Sequence, residues 1–229
     1  MALFVIGDTH LSLSVNKPMD IFGGWQNYMQ RLEDNWRAIV GQEDTVVIPG
    51  DVSWGMSLEQ AKADFRFLEN LPGKKILMKG NHDYWWTTKS KMDRFLQENG
   101  FSTISILHNN SICAEGVSLC GSRGWMFEQG QEHDKKLISR EVGRIKASLE
   151  SAQRFGDREK IMFLHYPPVF MGDSIPEFLQ VMKQFGVTRC YYGHIHSQGC
   201  RYAFEGEWEG IRLSLVSADF LKFTPKKIG

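Results

Sequence analysis

Short apolar runs rich in β-branched and aromatic residues alternate along this chain with longer amphipathic stretches. That alternation restricts the fold more than any other feature, because each short run must find neighbours in a sheet and each stretch must bury one face. Strands are expected over 2–6, 44–48, 75–79, 103–107, 112–120, 160–165, 188–192 and 211–217, and helices over 26–40, 57–70, 87–98, 133–155 and 175–185. Ser57-x-x-Gln60 reads as a capping box, with Leu58, Ala61, Phe65 and Leu68 at helical spacing behind it. Ile138, Val142, Ile145, Leu149 and Ala152 repeat every three or four residues, the stripe of a core-facing helix. Pro72-Gly73 turns the chain from the second helix into the next strand. Helices alternate with strands in the first half and strands dominate the second, so a layered α/β architecture is expected. The richest break, 116–130, holds four glycines but contains the strand-like Val117-Ser118-Leu119-Cys120, and no linker or repeat divides the chain. A single domain over 1–229 is therefore expected.

Charge narrows the function classes. The 27 Lys and Arg balance 27 Asp and Glu, which argues against bulk electrostatic capture of nucleic acid or anionic membrane but leaves room for a local positive site. A 42% hydrophobic and 12% aromatic composition excludes disorder, collagen and coiled coil. Four cysteines, Cys113, Cys120, Cys190 and Cys200, without a C-x-x-C read as buried reduced thiols. The apolar start Ala2 to Ile6 lacks a basic flank and is shorter than the ~7–15 residues of a signal peptide. No run approaches the ~18 residues of a membrane span. A cytoplasmic location and no membrane partner are expected.

Metal-capable side chains follow the apolar runs at once. Ile6 is followed by Asp8 and His10, Ile48 by Asp51, and Met78 by Asn81, His82 and Asp83. Leu164 runs into His165, and Tyr192 into His194 and His196. Five of the seven histidines fall at these positions, and only His108 and His133 lie elsewhere. Functional groups gather at the carboxyl ends of strands in open α/β sheets, because neighbouring strand ends aim their loops at one crevice. Asp8-x-His10 and His194-x-His196, read as extended backbone, place each pair on one side, able to grip one ion or to reach two. The donors are oxygen and imidazole, which suits Mn, Fe or Zn rather than a Cys-rich structural zinc site. Asp51 has two oxygens and can bridge ions ~3.5–4 Å apart, so Asp8, His10, Asp51, Asn81, His165, His194 and His196 suffice for two divalent ions.

Asp8-x-His10, Gly50-Asp51, Gly80-Asn81-His82-Asp83, His165 and Gly193-His194-x-His196, in this order, resemble the calcineurin-like metallophosphoesterases. The motifs run from residue 7 to 196, most of the chain, and five in order form a specific signal. The resemblance implies a metallo-dependent phosphatase fold: a four-layer α-β-β-α sandwich of two mixed sheets flanked by helices. It implies that Asp8, His10, Asp51 and His196 bind one ion and that Asp51, Asn81, His165 and His194 bind the other. It places His82 beside the substrate phosphate as proton donor or charge stabiliser, with Asp83 supporting it by hydrogen bonding. Two divalent ions against Asp8 and Asp51 make a cationic site, and a bridging water brought to a pKa of about 7 supplies hydroxide for in-line attack on phosphorus. The expected activity is metal-dependent hydrolysis of a small phosphomonoester or phosphodiester without a phosphoenzyme.

Departures from the family bear on substrate. The protein phosphatases carry Asp-Arg-Gly shortly after Gly-Asp, where this chain reads Val52-Ser53-Trp54-Gly55, which argues against a phosphoprotein substrate of that type. The extra domains of the DNA-repair nucleases are missing, so a compact bacterial-type phosphoesterase is the nearest pattern. Trp54, Tyr84, Trp85, Trp86 and Tyr166 adjoin the motifs, and loop packing is expected ahead of base stacking. Arg123 has the chemistry of a phosphate clamp but is read as a surface or loop-anchoring arginine. Lys222 to Lys227, with three lysines, reads as a frayed terminus. The alternatives are a nuclease or cyclic-nucleotide phosphodiesterase on the same site, and a metal-stabilised scaffold without turnover. Nucleic acid is a possible partner but not the favoured one.

Overall fold

The structure, a computed structural model, describes residues 1–126 and 133–229. Its strands are β1 (Leu3–Val5), β2 (Thr45–Ile48), β3 (Lys74–Leu77), β4 (Ile104–Ile106), β5 (Ser111–Ala114), β6 (Val117–Ser122) and β7 (Lys160–Leu164). These are followed by β8 (Val169–Phe170), β9 (Asp173–Ser174), β10 (Arg189–Tyr192), β11 (Gly206–Trp208), β12 (Ile211–Leu215) and β13 (Lys226–Lys227). The helices are α1 (Tyr28–Ile39), α2 (Leu58–Glu69), α3 (Lys89–Glu98), α4 (His133–Ser151) and α5 (Pro176–Gln184). One sheet has the order β13-β1-β2-β3-β4, the other β11-β12-β10-β7-β6-β5, and β8-β9 form a small ribbon.

Side-chain alternation along the strands builds the layers. Val5, Val47, Ile76, Leu119, Ile161, Phe163 and Tyr191 meet between the two sheets. Their neighbours Phe4, Val46, Ile48 and Leu77 face the opposite way and pack with Leu32 and Trp36 of α1, Phe65 and Leu68 of α2, and Phe95 of α3. On the far side of the second sheet Cys120, Met162, Leu164 and Tyr192 pack with Ile145 and Leu149 of α4 and Phe178 and Leu179 of α5. The result is helices, sheet, sheet, helices, as the family resemblance implies. Both sheets are mixed: β1 to β4 run parallel with β13 antiparallel, and β6, β7, β10 and β12 run parallel between antiparallel β5 and β11.

Most expected elements appear with shifted ends. The run 112–120 is two strands rather than one, because Glu115 (φ 50°) and Gly116 (φ 80°) form a left-handed two-residue turn that reverses the chain. α4 stops at Ser151 and tightens into a 3-10 turn over Ala152–Phe155. The strands β8, β9, β11 and β13 are two or three residues long and carry no periodic signal. Residues 127–130 of the glycine-rich break lie outside the described residues. The cysteines are free, but only Cys120 and Cys190 are buried, while Cys113 is exposed. Among the described residues no helix is long and apolar enough to cross a membrane.

Candidate metal centre

The parallel strands of both sheets end at one crest. Gly7 N–H donates to Val216 O (2.7 Å) and Ala218 N–H to Gly7 O (3.0 Å), which joins the end of β1 to the end of β12 across the two sheets. From the first sheet, the loop after β1 supplies Asp8 and His10, that after β2 supplies Asp51, and that after β3 supplies Asn81. From the second, β7 leads into His165 and β10 into His194 and His196. Asp8 (φ 57°), His10 (φ 45°), Asp51 (φ 51°) and His194 (φ 72°) all lie in the left-handed region. For such residues this costs of order 1 kcal/mol each and persists where the surroundings over-determine it. The extended pairing expected for Asp8-x-His10 and His194-x-His196 is thus corrected: strand geometry has already ended, and the chain curls to aim these side chains.

Two groups of donor atoms result, Asp8 with His10 and His196, and Asp51 with His165 and His194, each with its atoms within 4.8 Å of one another. Asp51 Oδ2 stands between the groups, 3.7 Å from His10 Nε2 and 3.6 Å from His165 Nε2. Asn81 Oδ1 lies 2.7 Å from His165 Nε2 and 2.8 Å from His194 Nδ1, inside the second group. His10 Nε2 and His196 Nε2 converge to 3.3 Å. All seven candidate ligands are therefore brought together, with His194 and His196 on different groups. Glycine spacing makes the approach feasible: a Cβ on Gly193 would sit 2.3 Å from Asp8 Oδ2.

The electrostatics favour a cation. Asp8 and Asp51 are buried (0% and 1% exposed), and among the described residues no lysine or arginine pairs with either. Buried carboxylates ordinarily require a paired charge or a metal. Burial, then the neighbouring His196, holds His10 well below the usual imidazole range, and burial with His165 pushes His194 down to about 3. These imidazoles are neutral and offer lone pairs. Burial raises Asp51, and the Asp8 carboxylate adds to it. His196 is the exception: burial opposes its charge, but Asp8 and Asp219 outweigh it and raise the ring to about 10. Ionising the buried Asp51 beside Asp8 lacks a compensating cation, and oxygen and imidazole donors fit divalent ions.

His82 is half-buried, its ring 4.4 Å from Trp54 and 5.8 Å from His10, and its Nδ1 has no hydrogen-bond partner among the described residues. The expected support of His82 by Asp83 is not what the structure shows. The buried Asp83 carboxylate accepts from the N–H groups of Gly80 (2.7 Å), Asp51 (2.8 Å), Val52 (2.9 Å) and Ser53 (3.2 Å) and from Trp85 Nε1 (2.9 Å). Asp83 therefore locks the loops after β2 and β3 together and acts as a positioning residue.

Asp219 is a further member, beyond those expected. Its Oδ1 lies 2.9 Å from His196 Nδ1 and its Oδ2 accepts the Ser197 N–H (2.8 Å), so it sets the orientation of a candidate ligand. The strand-end rule applied to 211–217 would have found it. Trp25, edge-on to His10 and His196 at 5.8 and 5.7 Å, carries no sequence signal. Of the flanking aromatics, Trp85 packs in the core against Phe65, whereas Trp54 stacks on His10 at 5.0 Å and Tyr166 lies 4.4 Å from His194. His108 sits beyond the centre against Trp86 (5.5 Å), and the side chain of His133 lies outside the described residues.

Known structures share this fold. The fold is similar to that of a protein of unknown function from Aquifex aeolicus, at 15% identity, TM-score 0.51, covering 99% of this chain and 95% of that one. It is similar to a Thermus thermophilus protein at 10% identity, TM-score 0.56, covering 99% and 97%. It is also similar to a purple acid phosphatase from yellow lupin (Lupinus luteus) seeds at 14% identity, TM-score 0.50, covering 94% of this chain and 43% of that one. No curated protein matches the sequence. The model of the calcineurin-like phosphoesterase family matches residues 1–198, and with the two sheets and their shared crest of carboxylates and imidazoles, this places the chain in that family.

Proposed function

We propose that this protein is a dinuclear metal-dependent phosphoesterase acting on a small phosphomonoester or phosphodiester. The observation that carries the reading is the pair of buried carboxylates, Asp8 and Asp51, without a lysine or arginine partner among the described residues and ringed by imidazoles from both sheets. Asp8, His10, Asp51 and His196 would hold one divalent ion, and Asp51, Asn81, His165 and His194 the other. When bound, such ions supply an activated water near neutral pH and positive charge for the phosphoryl oxygens. The chain's own contribution is positional. Asp83 and the backbone bond from His82 N–H to Asp51 Oδ1 (2.8 Å) hold Asp51 midway between the groups. Asp219 holds His196. His82, whose Nδ1 has no partner among the described residues, would hydrogen-bond a phosphoryl or leaving oxygen. Trp54 and Tyr166 beside the ligands favour a second reading, a phosphodiesterase whose leaving group is a flat base. The free thiols are compatible with a reducing compartment, and the cytoplasm is the location proposed.

The test is hydrolysis of p-nitrophenyl phosphate and bis(p-nitrophenyl) phosphate by Mn-loaded protein, with chelator-treated protein and Asp51→Asn as blanks. Metal-dependent turnover lost by at least a thousandfold in Asp51→Asn is expected, and diester preference selects the second reading. Metal binding without turnover of either ester would leave the scaffold.

A further inference from the structure

Beside the candidate metal centre lies a cavity of about 570 Å³ at the carboxyl ends of β3, β4 and β6. That volume is within the range of small-ligand sites. Lys79, Arg123, Arg140 and Arg144 line it, with Trp86 and His108. Arg140 and Arg144 stand one helical turn apart on α4 and share a face. The buried Glu141 pairs with Arg144 and accepts from Ser122 Oγ (2.9 Å). Among the described residues it is the only acid paired with this group, and Lys79, Arg123 and Arg140 form no ion pair. Burial, then Arg144, Lys79 and Lys89, pushes His108 below its ordinary value. Two buried donors there, Arg123 Nε and Trp86 Nε1, have no hydrogen bond among the described residues.

The cavity is tied to the centre by strand register. Lys79 is two residues from Asn81 on the loop after β3. Ser122 of β6 pairs with Leu164 of β7, and the Arg123 carbonyl accepts the N–H groups of His165 (3.1 Å) and Tyr166 (3.0 Å). Arg123 is thus the loop anchor expected from sequence through its backbone, while its guanidinium, 5.3 Å from the Trp125 ring, lines the cavity. Guanidinium groups bind phosphate bidentately, and several lining one cavity suit an anionic ligand.

We propose that this cavity is a subsite for a second phosphoryl group, so that the substrate carries two: one presented to the metal centre and one held by Lys79, Arg123, Arg140 and Arg144. The assignment of the first phosphoryl group rests on the phosphoesterase reading above. Substrates of this class are phosphoanhydrides and bisphosphorylated metabolites or nucleotides, and the aromatic rings at the rim permit a base.

Inorganic pyrophosphate titrated calorimetrically into metal-free protein at low salt tests the cavity alone, since without metal the centre has no divalent ion to hold a phosphoryl group. Binding that weakens at least tenfold in Arg140→Gln, an exposed position whose replacement leaves the core intact, supports the subsite. In Mn-loaded protein the same variant should lower kcat/KM for ADP and adenosine 3′,5′-bisphosphate relative to AMP by tenfold or more. Turnover of p-nitrophenyl phosphate with no pyrophosphate binding, or with binding unchanged in Arg140→Gln, overturns the subsite alone. Pyrophosphate binding with no hydrolysis of any ester overturns the phosphoesterase reading, and with it the subsite's role in substrate, while the anion site stands.

Discussion

Behind His196 stands Asp219, 2.9 Å from its Nδ1, and this contact gives the ring a fixed orientation toward Asp8. Partners of this kind typically contribute 10–100-fold to metal affinity or activity. Asp219→Ala should therefore lower Mn affinity by about that factor, read by metal titration, and unchanged affinity would remove Asp219 from the centre. Gly80 is a harder constraint. A Cβ there would lie 2.0 Å from Asp51 Oδ1 and 2.2 Å from Asp51 N, so Gly80→Ala must displace the one carboxylate placed between both groups. We expect it to fold with a loss of roughly 1–3 kcal/mol and to lose most metal-dependent turnover, checked by denaturation and by the two p-nitrophenyl esters. Wild-type turnover in this variant would show that Asp51 need not stay where it is. At this scale the sequence was legible wherever a polar residue followed an apolar run. Trp25 was not, because only the packed fold brings the segment before α1 against His10 and His196.

Elements carry their own tests. α2 begins as its sequence demands, with Ser57 Oγ accepting the Gln60 N–H (3.3 Å). The Gln60 side chain accepts from Met56 N–H (2.8 Å) rather than from Ser57, so the box is shifted by one residue on one side. Ser57→Ala should cost about 1 kcal/mol in urea denaturation and leave turnover unchanged. On β3, Lys75 is fully buried and its ammonium donates to Leu71 O (2.8 Å) and Gly73 O (2.7 Å). Burial, only partly offset by Glu69, pushes Lys75 down to about 8 from the ordinary 10.5. Between those values the folded chain releases a proton that the unfolded chain keeps, so the stability contribution rises with pH through this window and is absent below it. The stability of wild type relative to Lys75→Met should rise by about 2–3 kcal/mol from pH 7.5 to 10.5, and a flat difference would contradict the burial argument. A lysine at the head of a strand-like run gave no sign of this, since the carbonyls that hold it come from the end of α2 and the following turn. The 112–120 run misled for a related reason: Glu115-Gly116 is a short turn signal inside an unbroken apolar pattern, and the left-handed φ at Glu115 is set by pairing of β5 with β6.

Across the whole molecule the candidate ligands are divided between the sheets, with Asp8, His10, Asp51 and Asn81 on one and His165, His194 and His196 on the other. Ions held there would staple the two sheets at their crest. Ligand binding to the folded state alone contributes about 2.7 kcal/mol at a hundredfold excess over Kd, which for a chain of this size is a rise in Tm of roughly 5–10 °C. Mn titration followed by calorimetry should show that rise, and Asp51→Asn should abolish it. A rise that persists in Asp51→Asn would place the stabilising metal elsewhere.

The sequence by itself determined the local terms. Apolar runs of strand length, helical stripes and a polar residue at each strand end follow from side-chain periodicity and from the φ preferences of glycine, and they specify which residues reach the crest. Only the tertiary structure decided how those residues combine. His194 and His196 go to different groups because the left-handed turn at His194 breaks the strand alternation. Asp83 serves four backbone N–H groups and the Trp85 indole rather than His82, because the β2 and β3 loops close over it. Lys79 and Arg123 join Arg140 and Arg144 around one cavity because the crest runs on to β4 and β6, with α4 alongside. Such partnerships join residues far apart in the chain, and sheet order with loop closure fixes them where no local pattern can.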